Sequence, residues 1–283
     1  MHTWKLRNRE LPWGTRCLVM GIVNVTPDSF SDGGQFLSTD NAIAHGLELV
    51  RQGADLLDIG GESTRPGSQP ISLDEELKRV VPVVTALAQQ SSVAISIDTS
   101  KAEVARACLA AGAHVINDVT GLTGDPAMPD VARDTGAGVI VMHMQGTPAT
   151  MQLAPHYDDV VTDLSLYFTE RIQSLTAHGI AAEAIALDPG IGFGKTREHN
   201  ITLLANLAKF TSLGCPVCLG VSRKGFLGKL LDRPLEERLA GSLAAAAYGL
   251  AQNAVHILRV HDVGATRDLV RVWEVLSTGE PGA

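Results

Sequence analysis

Three times in this chain a glycine is followed at once by a short aliphatic run that stops at a polar side chain. The three are Gly53-Ala54-Asp55-Leu56-Leu57-Asp58, Gly112-Ala113-His114-Val115-Ile116-Asn117-Asp118 and Gly136-Ala137-Gly138-Val139-Ile140-Val141-Met142-His143. Glycine takes the left-handed conformation that closes a helix. Runs rich in Val, Ile and Leu suit strands of a parallel sheet covered on both faces. Eight such runs occur, near 18–23, 55–59, 93–97, 113–117, 138–142, 184–188, 216–220 and 255–260. Helical patterns lie between them. Ser72-Leu73-Asp74-Glu75 and Ser100-Lys101-Ala102-Glu103 have the form of capping boxes, and an amphipathic stretch over 158–178 ends at Gly179. The strands recur roughly every 35 residues, the length of one βα unit. Strict alternation with eight strands predicts an α/β fold: a single (β/α)8 TIM-type barrel. The alternative, a doubly wound open sheet, would be a large one. Residues 1–16 fall outside the repeat, and Trp4, Leu6, Leu11 and Trp13 predict a short N-terminal hairpin under the barrel. Residues 277–283 are expected to fray. No linker divides the chain, so residues 1–283 are expected to form one domain.

The bulk composition narrows the partners. With 283 residues, 45% of them hydrophobic, the chain can bury a large core. Its net charge of −8 argues against nucleic acid, which needs a basic surface. A local cluster of cations can still hold a small anion. The N-terminus lacks the apolar run of a signal peptide, and no stretch is apolar for about 18 residues. Four cysteines, Cys17, Cys108, Cys215 and Cys218, are few for this length, which fits a reduced, cytoplasmic protein.

In a barrel of this kind the strand C-termini and the loops after them carry the chemistry. Read in order, those positions are Asn24, Asp58 with the Thr64-Arg65-Pro66 loop, Asp98, Asn117, Met142-His143, Asp188, Ser222-Arg223-Lys224, and Arg259 with His261. One Asp after a strand is ordinarily a helix cap. Seven or eight polar endings on one rim point instead to a site. Carboxylates and an amide can read a polar heterocycle, while the cations can hold phosphate. Other signals fail. In Gly190-Ile191-Gly192-Phe193-Gly194-Lys195-Thr196, Pro189 stands where a phosphate loop needs glycine, and Lys195 stands where a dinucleotide fingerprint needs its last glycine. That loop is expected to let backbone approach a ligand. Cys215-Pro216-Val217-Cys218 has redox spacing, but it lies on a strand, where odd spacing sends the two thiols to opposite faces. The nine histidines show no zinc-type spacing.

The motifs at these positions, in their order, resemble the dihydropteroate synthase family of the folate pathway. Met20-Gly21-Ile22-Val23-Asn24-Val25-Thr26-Pro27-Asp28-Ser29-Phe30-Ser31-Asp32-Gly33-Gly34 is similar to its first signature, and Asp58-Ile59-Gly60-Gly61-Glu62-Ser63-Thr64-Arg65-Pro66-Gly67 to its second. Ser96-Ile97-Asp98-Thr99, Ile116-Asn117-Asp118, Met142-His143-Met144-Gln145-Gly146, Leu187-Asp188-Pro189-Gly190, Ser222-Arg223-Lys224 and Arg259-Val260-His261-Asp262 follow. The resemblance implies a transferase that joins 4-aminobenzoate to the methylene carbon of 6-hydroxymethyl-7,8-dihydropterin diphosphate, releasing diphosphate. It implies a pterin site of Asp98, Asn117, Met142, Asp188, Phe193, Lys224 and Arg259. The diphosphate would be held by Asn24, Arg65, Arg259 and His261, with Mg²⁺ on Asn24. Phe30, Thr64, Pro66 and Lys224 would surround 4-aminobenzoate, where sulfonamides would compete. Asp98, Lys224, Arg259 and His261 are the implied catalytic set, and a homodimer the implied assembly. In one departure, Gly225 stands where many members carry a serine that helps bind the aminobenzoate carboxylate. Two alternatives stay open: a pterin-dependent methyltransferase on a related barrel, and a catalytically silent pterin-binding subunit. The Thr64-Arg65-Pro66-Gly67 loop with Arg259 and His261 favours the synthase over the first.

Overall fold

A computed structural model describes residues 2–14, 16–25, 34–65 and 67–279 of the chain. The chain opens with an antiparallel hairpin, β1 (His2–Leu6) and β2 (Arg9–Trp13), in which His2 faces Trp13. Eight parallel strands follow: β3 (Leu18–Asn24), β4 (Leu56–Gly60), β5 (Ala94–Asp98), β6 (Val115–Asp118), β7 (Gly138–Met142), β8 (Ile185–Asp188), β9 (Cys218–Leu219) and β10 (Ile257–Val260). Their order is β8-β7-β6-β5-β4-β3-β10-β9. β8 and β9 meet through one bridge, Leu187 to Val217, beside a hydrogen bond from the Leu187 N–H to the Pro216 carbonyl at 2.9 Å. The sheet is therefore a nearly closed barrel. The seventh strand was expected over 216–220, and the regular pairing shrinks to two residues. Pro216 has no N–H to give a ladder there.

Ten helices lie among the described residues: α1 (Gly34–Arg51), α2 (Leu73–Gln90), α3 (Ala102–Ala110), α4 (Met128–Thr135), α5 (Val160–Ala177), α6 (Arg197–Ala205), α7 (Ala208–Thr211), α8 (Gly225–Leu231), α9 (Leu239–Ala251) and α10 (Val263–Thr278). Gly53, Gly112, Gly136 and Gly179 all have positive φ after a helix, as their positions require. Ser72 caps α2, its hydroxyl accepting the Glu75 N–H at 3.2 Å. The corresponding expectation at Ser100 is corrected. The Ala102 N–H at the start of α3 goes to Asp125 Oδ2 at 2.9 Å, and the Lys101 N–H goes to Thr99 Oγ1. A carboxylate from the loop after β6 occupies the positive end of that helix. α10 runs to Thr278, two residues into the stretch expected to fray.

Two apolar clusters hold the molecule together. The larger joins the outward faces of the strands to the helices. The smaller fills the barrel interior with Leu18, Met20, Leu56, Ala94, Val115, Ile140, Ala186, Cys218 and Ile257, closed from below by Trp4, Leu6 and Trp13 of the hairpin. Trp4 is fully buried, and its indole N–H donates to the Ala184 carbonyl at 2.8 Å. Cys215 packs in the outer cluster and Cys218 in the inner one, both as free thiols, so the two point to opposite sides. Trp4→Ala should lower the unfolding free energy by about 3–5 kcal/mol, the usual cost of emptying a buried aromatic site. Urea denaturation measures it, and a loss under about 1 kcal/mol would mean that the hairpin does not plug the barrel.

Candidate active site

The barrel strands alternate inward and outward side chains with a period of two. Stepping up two residues from the apolar interior layer gives Ile22, Asp58, Ser96, Asn117, Met142, Asp188, Gly220 and Arg259. A further step gives Asn24 on β3 and Asp98 on β5, with Ser222 and His261 in the turns just after β9 and β10. The interior thus changes from hydrocarbon to polar groups within one strand repeat.

Arg259 on β10 spans this cup. Its Nε donates to Asp58 Oδ2 at 2.6 Å and its Nη2 to Asp98 Oδ2 at 2.6 Å. Asn117 Nδ2 donates to the same Asp58 oxygen at 2.9 Å. Asp188 accepts the Gly190 N–H on Oδ1 at 2.7 Å. The Lys224 ammonium lies 4.2 Å from the centroid of the Phe193 ring. Met142 is buried at the end of β7. These residues share one cup, although up to 201 positions separate them along the chain.

Burial sets the electrostatics. It raises the Asp98 carboxyl; Arg259 opposes the shift, while Asp58 and Asp118 add to it. It also raises Asp188, against the Gly190 N–H, Lys224 and Arg259. It lowers the Lys224 ammonium to about 8, partly offset by Asp188. Burial works against the Arg259 cation as well, but Asp58 and Asp98 hold it firmly protonated. His261 drops to about 4 through burial and the neighbouring Arg259 and Arg223. Its ring is therefore neutral near pH 7. Ser222 Oγ accepts the His261 backbone N–H at 3.1 Å and lies 3.0 Å from Nδ1. With the serine hydrogen given to Nδ1, the ring hydrogen sits on Nε2 as a donor.

The remaining expected residues are placed more loosely. Asn24 is exposed at the rim end of β3, Thr64 is half-buried and Arg65 is exposed. Phe30 and Pro66 lie outside the described residues. Arg223 is turned away from the cup, its Nε donating to Asp262 Oδ2 at 2.9 Å. His143 is a packing residue, with its ring against Tyr157 and Tyr167.

Three groups carry more than the sequence reading assigned them. Asp58 ties Arg259 to Asn117, and Ser222 orients His261. Both positions were recognised on the rim without a role. Counting in twos from Leu56 would have marked Asp58. The third is Lys195, whose Nζ reaches His143 Nδ1 at 3.1 Å, the His143 carbonyl at 3.2 Å and the Phe193 carbonyl at 3.0 Å. Burial lowers its ammonium to about 7. Two of the loop glycines also serve packing within the protein. A Cβ at Gly190 would lie 2.0 Å from the His143 carbonyl oxygen, and one at Gly194 2.4 Å from the Gln145 oxygen. These two let protein backbones pack, while a Cβ at Gly192 would meet the Lys224 side chain at 3.5 Å.

Residues 20–261 match the family described as pterin binding enzyme. Over 256 residues the chain is 51% identical to dihydropteroate synthase of Escherichia coli strain K12, covering 90% of each. The chain belongs to the dihydropteroate synthase family. Solved structures agree with this membership. The Yersinia pestis synthase in complex with a sulfonamide drug superposes with a TM-score of 0.91 at 46% identity, covering 98% of this chain and 99% of that one. The Xanthomonas albilineans synthase in complex with 7,8-dihydropteroate gives 0.86 at 44% identity, covering 97% and 99%. Within the family cup, His261 is the simplest group to follow. Its imidazole should titrate with a midpoint near 4 in ligand-free protein by NMR. A midpoint near the ordinary value of about 6.5 would show that burial does not keep the ring neutral.

Proposed function

We propose that this chain is a dihydropteroate synthase, condensing 6-hydroxymethyl-7,8-dihydropterin diphosphate with 4-aminobenzoate to give 7,8-dihydropteroate and diphosphate. One observation carries the reading. Asp98, Asn117, Asp188, Lys224 and Arg259 converge in one cup, in a chain half identical to a synthase over nine tenths of its length.

The roles follow from donor and acceptor chemistry. A pterin edge offers neighbouring N–H donors. The buried Asp188 carboxyl accepts two of them, while its Oδ1 stays in line through the Gly190 N–H. Asn117 reads the adjoining edge. Lys224 bonds the ring from another side, and Phe193 and Met142 pack on it. The Arg259 guanidinium lies flat against the ring face. Asp98, kept beside Arg259, steadies positive charge as it grows on the ring. Asn24, Arg65, Arg259 and the His261 Nε2–H receive the diphosphate, and Thr64, Phe30, Pro66 and Lys224 surround 4-aminobenzoate.

Mg²⁺ fits the donor set at the rim. The Asn24 side-chain oxygen, exposed at the rim end of β3, would give the ion one protein ligand, with phosphate oxygens and water supplying the rest. Bound there, it would neutralise charge on the leaving diphosphate. In the chemical step the C–O bond to diphosphate breaks ahead of C–N bond formation, and the dihydropterin delocalises the methylene cation. The aryl amine then attacks the methylene carbon and loses a proton. Diphosphate takes the electron pair of the broken bond. Positional isotope exchange in the diphosphate oxygens tests this order; no scrambling under reversible conditions would point to concerted displacement.

Three further parts complete the reading. Sulfonamides would compete at the 4-aminobenzoate pocket, as the drug complex of the Yersinia pestis relative suggests. A second copy would cover exposed Leu230, Leu231 and Tyr248 on α8 and α9, making a homodimer. Four buried free cysteines suit a reducing cytoplasm, and no helix among the described residues is long and apolar enough to cross a membrane.

The direct test is diphosphate release from the pterin diphosphate that depends on both 4-aminobenzoate and Mg²⁺. Pterin binding without turnover would mark a silent subunit instead. Asp188→Asn removes one of two charged acceptors and should weaken pterin binding by roughly 10- to 100-fold, the loss of a charge-assisted bond worth about 1.5–3 kcal/mol. Calorimetry that shows unchanged affinity would remove Asp188 from this role.

A further inference from the structure

Asp58 touches no solvent, yet it is the hub of the cup. Its Oδ2 accepts from Arg259 Nε at 2.6 Å and from Asn117 Nδ2 at 2.9 Å. Its Oδ1 and the Oγ of Ser96, its register partner on β5, are buried without hydrogen-bond partners. One carboxylate oxygen therefore orders two side chains that reach it from different parts of the barrel.

The geometry constrains both. An amide presents a carbonyl oxygen on one side and an NH2 on the other. Only the NH2 can face a carboxylate, so Asn117 cannot flip without setting its oxygen against Asp58. That leaves Oδ1 and the second N–H in one fixed arrangement. Arg259 has five N–H donors. Asp58 takes the Nε–H and Asp98 one on Nη2, which pins the guanidinium plane and leaves three donors. Asp58 is too deep to touch a ligand lying above Asn117 and Arg259.

We propose that Asp58 is the positioning residue of the pterin site: it fixes which face of the Asn117 amide and which edge of the Arg259 guanidinium meet the ring. The inference rests on the reading of Asn117 and Arg259 as pterin contacts. Asp58 makes no bond in the reaction and acts through those two side chains.

Asp58→Asn tests it at constant shape. The new amide oxygen can still take the Oδ2 position, but without the charge that holds the Arg259 Nε–H and the Asn117 NH2, while its own NH2 takes the unpartnered Oδ1 position. The KM for pterin diphosphate should rise 10- to 100-fold, with the KM for 4-aminobenzoate within twofold of wild type. In an Asn117→Ala background the same change should cost at least threefold less, since part of its effect passes through Asn117. A pterin KM unchanged in Asp58→Asn while Asn117→Ala binds weakly sinks the inference and spares the functional reading. Normal pterin binding by Asn117→Ala instead sinks the role of Asn117 itself. Losses that multiply independently also count against Asp58.

A second measurement needs no variant at position 58. In wild-type protein labelled with 15N-asparagine, the Asn117 side-chain N–H pair, identified by its loss in Asn117→Ala, should exchange slowly with solvent both free and with pterin diphosphate bound. Fast exchange in the free protein would overturn the proposal even if Asp58→Asn does not fold.

Discussion

A closed ring of parallel strands gives each side chain two directions, inward or toward the helices, and every property of this site follows from that constraint. The inward column of β4 runs Leu56, Asp58, Gly60, and that of β5 runs Ala94, Ser96, Asp98. Each passes from hydrocarbon to polar atoms in one step. The lower layer is covered from beneath by Trp4, Leu6 and Trp13. The upper layer is buried deeply enough to be desolvated. A slip of one residue in any strand would send its polar group among the helices, where nothing could satisfy it.

Desolvation is what makes such a cup useful and costly. Burial presses Asp98 and Asp188 toward neutrality, opposed by Arg259 at Asp98 and by the Gly190 N–H and Lys224 at Asp188. Pairing buried charges in this way seldom adds net stability, because the lost hydration offsets most of the attraction. What it does supply is fixed direction: acceptors and donors aimed before the substrate arrives need no reorganisation when charge develops. The Lys195 ammonium does similar work outside the cup. By holding the His143 and Phe193 carbonyls it ties the loop after β8 to the end of β7, and so places Phe193 beneath Lys224.

The eight strands, their order of chemistry and the hairpin were legible because each rests on a local signal: a Gly stop, an aliphatic run, a polar ending. Seven of the eight strand positions match those runs closely, and the exception near Pro216 has a local cause. The capping of α3 was not legible, since its acceptor, Asp125, comes from a different loop. Neither was the reason for Gly190, whose partner is the backbone of another strand end. Asp58 stood in plain view at the head of the second signature, but its task depends on Arg259, 201 residues away.

The sequence by itself determined the repeat, the polar character of one barrel rim and membership of the dihydropteroate synthase family. Those properties are carried by short segments and their spacing. Only the tertiary structure decided which rim groups share atoms, that His261 is a neutral donor oriented by Ser222, and that Arg223 faces Asp262 instead of the cup. Hydrogen-bond partnership and desolvation are properties of enclosed space. That space exists only once strands far apart in the chain have closed around it.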